Sequence, residues 1–117
     1  MAGPEAVSSS DSLGVQKAPP SSIEAEEALL GSALLSRDAS NRLMEAIKPG
    51  DFYSPNNEKI FEAMKELFDS GKPIDSVTVS EIVFKNKNTT SLNASYIARL
   101  VENVPSSANF ERYIEIV

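Results

Sequence analysis

At 117 residues the chain has room for one small domain built on one core. Its 17 acidic and 11 basic residues leave a formal charge of −6, and the basic ones are scattered singly. That disfavours direct nucleic-acid binding, whose affinity comes largely from clustered Lys and Arg displacing counterions. With no cysteine and no histidine, disulfides, thiolate and ordinary zinc sites, and His-based catalysis are excluded.

Residues 1–20, MAGPEAVSSSDSLGVQKAPP, offer only Val7, Leu13 and Val15 as larger apolar groups. Such a segment cannot offset its ordering entropy, so a disordered arm is expected. From Ser21 the periodicity becomes helical and stays so. Ser21-Ser22-Ile23-Glu24 has the spacing of a capping box. Behind it the rows Ala25, Leu29, Ala33 and Leu30, Leu34 make an apolar stripe. Gly31 beside that stripe predicts close approach of a neighbouring helix. A second helix is expected over Arg37 to Ile47, with Ala39, Leu43 and Ile47 at four-residue spacing, stopped by Pro49-Gly50.

Asp51-Phe52-Tyr53 follows in the middle of turn chemistry, with Asp51 bracing the turn. Ser54 can cap a third helix with Pro55 at its first position, where a missing N–H costs nothing. Phe52 and Tyr53 are expected to plug the corner, their rings buried against Phe61 or Met64. Ile60, Phe61, Met64, Leu67 and Phe68 form the clearest amphipathic stripe in the chain, and Gly71 is its natural terminator. Pro73-Ile74-Asp75-Ser76 reads as a turn. Thr78 to Glu81 reads as a second capping box, with Val77 and Ile82 at the spacing of a hydrophobic staple.

This fourth helix gives way to the polar run Lys85-Asn86-Lys87-Asn88-Thr89-Thr90. A fifth carries Tyr96, Ile97, Leu100, Val101 and Val104 and stops at Pro105. A sixth opens at Ser106 or Ser107 and carries Phe110, Tyr113, Ile114, Ile116 and Val117. The β-rich pieces Ser76 to Ser80 and Glu115 to Val117 are too short for strands. The fold class expected is all-α: a compact bundle of about six short helices behind the arm.

A phosphate-binding loop would need Gly-x4-Gly-Lys-Ser/Thr. Gly71-Lys72 is the sole Gly-Lys pair, with Glu at 66 and Pro at 73. Glu24, Glu26 and Glu27, and the row Glu58, Glu62 and Glu66, could in principle serve as acid–base pairs or hold a divalent ion; the plainer expectation is solvated helix faces. No run of about 18 apolar residues and no secretion signal is evident, so the expected location is the cytoplasm. The sequons at Asn88 and Asn93 are then chance matches.

In order and spacing, four stretches resemble the N-terminal domain of the DnaB-type bacterial replicative DNA helicases. They are Pro19 to Glu26 with Leu30-Gly31, Asp51-Phe52-Tyr53 with Ile60-Phe61, Pro73-Ile74-Asp75 with Val77-Thr78, and Pro105 to Asn109 with Tyr113 and Ile116-Val117. The chain departs from the family at Asn57, where a histidine is frequent, and near Leu92-Asn93, where the family often has a Gly-Gly pair.

The resemblance implies a non-catalytic domain, without cofactor, that supports a hexameric ring and helps dock primase and in some systems a loader. ATP and Mg²⁺ would belong to a separate motor domain, and DNA would be met by the full-length hexamer. It also implies that the chain continues past Val117 into a helical hairpin, a linker helix and that motor. The wide apolar arc at Tyr113, Ile116 and Val117 then either contacts the hairpin or another subunit, or is buried within the head. A free-standing acidic helical adaptor is the alternative function, and a carboxylate-dependent hydrolase a weaker third.

Overall fold

The structure is a computed structural model and describes residues 20–85, 92–104 and 109–117. Among these the chain is all-α: α1 (Pro20–Leu35), α2 (Arg37–Ala46), a 3-10 turn (Pro49–Asp51), α3 (Pro55–Asp69), α4 (Ser76–Lys85), α5 (Ala94–Glu102) and α6 (Phe110–Ile116). The expected arm falls almost wholly outside the described residues, as does the expected opening of the last helix at Ser106 or Ser107. Helix α1 already includes Pro20, so Ser21 lies within the helix instead of capping it.

Helix α1 is the axis of the fold. It packs against α2, α3, α5 and α6, while α4 leans on α3 and α5. Every residue of its predicted stripe is buried: Ala25, Leu29, Leu30, Ala33 and Leu34. Leu29, Leu30, Ala33 and Leu34 meet Leu43 and Ile47 of the α2 end, Phe61 and Met64 of α3, and Ile97 and Leu100 of α5 in one continuous core.

The α1–α5 crossing depends on Gly31. A Cβ built there would stand 2.2 Å from the Leu100 carbonyl oxygen and 2.9 Å from Val104 Cγ2. Since the first of these is backbone, no rotamer change relieves it.

The helix ends follow their local chemistry. Ser36 Oγ accepts from Ala39 N and Ser54 Oγ from Asn57 N, each starting a helix as an N-cap. Helix α3 closes in a Schellman motif: Gly71 at φ +71° donates to Phe68 O, and Lys72 N donates 2.9 Å to Leu67 O. Asp51 braces its turn by accepting from Lys48 N at 2.9 Å. Asn93, one of the sequon residues, caps α5 by accepting from Tyr96 N.

Three expectations are corrected. The box that starts α4 is Asp75 with Thr78: Asp75 Oδ1 accepts from Thr78 N, and Thr78 Oγ1 from Asp75 N. Helix α4 therefore starts before Thr78, and a carboxylate at its positive end is the better cap. Val77 consequently turns outward at 66% exposure, and the inward apolar residues are Ile74 and Val79.

Phe68, placed on the core stripe, is 42% exposed at the far edge of α3. Tyr53 is 46% exposed, whereas Phe52 is buried with its ring centroid 5.1 Å from that of Phe61. Phe52 is in extended conformation, and extended backbone sends neighbouring side chains to opposite faces. Only one of the two rings can plug the corner.

Phe52→Ala should lower unfolding free energy by about 3–5 kcal/mol in urea denaturation, whereas Tyr53→Ala should cost far less. Gly31→Ala should cost about 1–3 kcal/mol or more, because α1 and α5 must separate. A Gly31→Ala melting temperature equal to the parent's would refute the close crossing.

Candidate functional site

Corner and core are joined by a polar cluster around Glu26, a residue expected on a solvated helix face. Glu26 is only 1% exposed. Its carboxylate accepts from Tyr53 N at 2.6 Å, from Ser54 N at 3.3 Å and from the Asn57 side-chain amide at 2.9 Å. It sits at the N-terminal end of α3, where free amides and the helix dipole favour an anion. These charge-assisted bonds compensate the burial of the carboxylate.

Asn57, itself fully buried, accepts in turn from the Tyr96 hydroxyl of α5. The same hydroxyl lies 3.4 Å from Glu27 Oε2, and the Arg99 guanidinium stacks 5.1 Å above the Tyr96 ring. Burial pushes the Tyr96 hydroxyl well above its ordinary value, and the Glu27 carboxylate pushes it further. Helices α1, α3 and α5 are thus locked by one hydrogen-bonded chain running from Glu26 through Asn57 to Tyr96.

The sequence held a usable signal for this cluster. Glu26 stands four residues before Leu30, and Asn57 four before Phe61, so both interrupt apolar rows on facing helices. Two polar residues on two inward faces imply a buried pair. The remaining acidic positions behave as solvated faces: Glu24, Glu62 and Glu66 are exposed, and Glu58 is half-buried.

The cluster is a structural joint, and it fixes where the surfaces lie. At the end of the chain α6 folds back on α1 and α2. Arg42 of α2 clamps it with a two-pronged pair to Glu111, Nε and Nη2 at 2.9 and 2.8 Å from its carboxylate oxygens. Arg42 correspondingly holds the Glu111 carboxyl below the usual carboxylate value, against a smaller desolvation effect. Both groups are solvent-exposed, so the pair orients more than it stabilises.

Of the three residues of the expected terminal contact, Tyr113 and Val117 are half-buried against the core, and Ile116 is 38% exposed. The arc is therefore divided, with two side chains turned toward the head and one toward solvent.

The family model described as "DnaB-like helicase N terminal domain" matches residues 18–117. The chain belongs to this family. It is 35% identical to the replicative DNA helicase DnaB of Mycobacterium leprae over 98% of its own length, and 39% identical to that of Geobacillus stearothermophilus over 87%. It is 40% identical to the replicative DNA helicase DnaC of Bacillus subtilis over 85% of its length.

These matches span 19%, 23% and 22% of the relatives, about a fifth of their length. The crystal structure of the N-terminal domain of DnaB helicase from Mycobacterium tuberculosis superposes with a TM-score of 0.73 at 35% identity, covering 80% of this chain and 69% of that one. Two of the four stretches named from the sequence meet the joint: Glu26 and Tyr53 belong to it, and Phe52 packs on Phe61 beside it.

Glu26→Ala should cost about 3 kcal/mol or more, since unpaired buried donors cost about 1–3 kcal/mol each. Tyr96→Phe should cost about 1 kcal/mol and remove the highest-pH component of the phenolate titration at 295 nm. Because the folded-state value of Tyr96 is raised, its contribution is intact below the ordinary value of 10.0 and is lost as pH rises beyond it. An unchanged alkaline limb in Tyr96→Phe would contradict the buried hydroxyl.

Proposed function

We propose that this chain is a non-catalytic assembly and docking domain of a hexameric bacterial replicative DNA helicase. What carries the reading is the match of residues 18–117 to the N-terminal domain of helicases about five times as long as the aligned segment. The motor would lie in another part of such a protein. This chain has no glycine loop followed by Lys-Ser/Thr and so does not fit a nucleotide's phosphates. ATP and Mg²⁺ belong to that motor, and DNA meets the assembled ring. The setting of this role is the bacterial cytoplasm, at the replication machinery.

Within this role the domain contributes protein–protein surfaces for other helicase subunits, for primase and, where one operates, for a loader. Ile116 leads the terminal contact, with Tyr113 and Val117 at its flanks. The half-buried pair fixes the angle of α6, and the exposed side chain meets either the following hairpin or another subunit. The Arg42–Glu111 clamp supports that angle above the acidic range. Because the Glu111 value is lowered, its contribution is present above the ordinary 4.5 and fades as pH falls through the folded-state value.

Sedimentation equilibrium of the 117-residue chain and of a form extended by the hairpin tests the assembly role. The extended form should self-associate, and Ile116→Asp should weaken that association while leaving the melting temperature nearly unchanged. Equal monomeric behaviour of both forms at high concentration would sink it. A pull-down with the C-terminal domain of the cognate primase should favour the extended form, and the chain alone should show no nucleotide-dependent turnover.

A further inference from the structure

Helices α4 and α5 leave between them a groove that the joint, the core and the α6 surface do not use. Its walls are Val77, 66% exposed, and Phe84, 44% exposed, with Val101 on the α5 side. Small residues, Ser76, Ser80, Ala94 and Ala98, line it as well, together with the deeply buried Ile97. Val77 and Phe84 are seven residues apart on one face of α4, about 10 Å at 1.5 Å per residue, which is two turns of any helix laid alongside. Among the described residues the charged groups lining the groove are Glu81 on α4 and Glu102 on α5.

We propose that this groove docks a basic amphipathic helix of another protein. The partner seats two apolar side chains, one or two turns apart, between Val77 and Phe84, and sets Lys or Arg against Glu81 and Glu102. Small Ser and Ala side chains on both helices let a partner helix approach closely, and Ile97 adds apolar surface.

The other occupants fit less well. A second copy packed groove to groove would bring Glu81 and Glu102 against their own equivalents, and like charges in an interface are costly. Residues 1–19 carry Glu5 and Asp11 against one Lys17 and have little apolar content. Residues 86–91, Asn-Lys-Asn-Thr-Thr-Ser, contain no apolar side chain able to fill the groove.

The proposal stands apart from the ring-assembly reading, because it is tested on the 117-residue chain alone. The probe is a fluorescein-labelled helical peptide of Leu, Ala and Lys with Leu at helical spacing; the control is its copy with every Lys replaced by Glu. Anisotropy should show binding of the Lys peptide only, weakening as salt rises. Backbone resonance shifts should centre on Val77, Ser80, Phe84 and Val101.

Phe84→Ser should weaken binding about tenfold or more, as loss of a buried aromatic anchor does. The double variant Glu81→Lys, Glu102→Lys should switch preference to the Glu peptide. Four results would each overturn the proposal. These are no binding, equal binding of both peptides, a Lys-peptide affinity indifferent to Phe84→Ser, and a Phe84→Ser change in sedimentation or in the resonances of residues 1–19. The last would show the groove held by a second copy or by the chain's own N-terminal segment.

Discussion

A single buried carboxylate sets the geometry of this domain. Glu26 is tolerated because three donors converge on it: two backbone amides at the start of α3 and the amide of Asn57. Its position obliges the chain to turn at Tyr53-Ser54 with those amides pointing inward. Phe52 is thereby turned into the core and Tyr53 away from it. The hydroxyl of Tyr96 completes the constraint by tying α5 to the same asparagine. A hydrophobic contact can slide by a methylene at little cost, whereas this set of bonds admits only one arrangement of α1, α3 and α5.

The second constraint is steric and lies one turn further along α1. Gly31 lets the α5 backbone come within contact of α1, bringing Leu100 into the core and Tyr96 within reach of Asn57. Close approach and polar chain support each other. Without the first the hydroxyl falls short, and without the second α5 has only apolar contacts, led by Ile97 and Leu100 with Val101, to hold its register. Helix α4 is outside this arrangement. It leans on α3 through Val79 and Val83, with its outer face of Val77 and Phe84 left uncovered.

This distribution of polar bonds and exposed side chains suits the docking role proposed for the domain. Polar bonds and tight packing concentrate on α1, α3 and α5, while the exposed apolar residues sit on α4, at the end of α6, at Leu35, at Tyr53 and at Phe68 near the end of α3. Exposed apolar side chains on a fixed frame can be matched by a partner without the domain first paying an ordering cost.

How much was legible in advance follows from the range of each interaction. Helix number and order, the cap at Ser54, the Gly71 stop, the need for a small residue at position 31 and the core rows of α1 were set by the sequence. All of these depend on 3.6-residue periodicity or on contacts within four residues, which a linear pattern encodes. The α4 cap was misplaced by three residues because Asp75 and Thr78 both offer capping chemistry, and only the path of the chain into α4 selects between them. Tertiary structure alone decided that Glu26 is buried, that Tyr53 and Phe68 face out, and that Asn57 and Tyr96 meet. Those outcomes rest on groups 27 to 39 residues apart in sequence, and desolvation of a carboxylate is settled by what the rest of the chain folds on top of it, not by its neighbours in the chain.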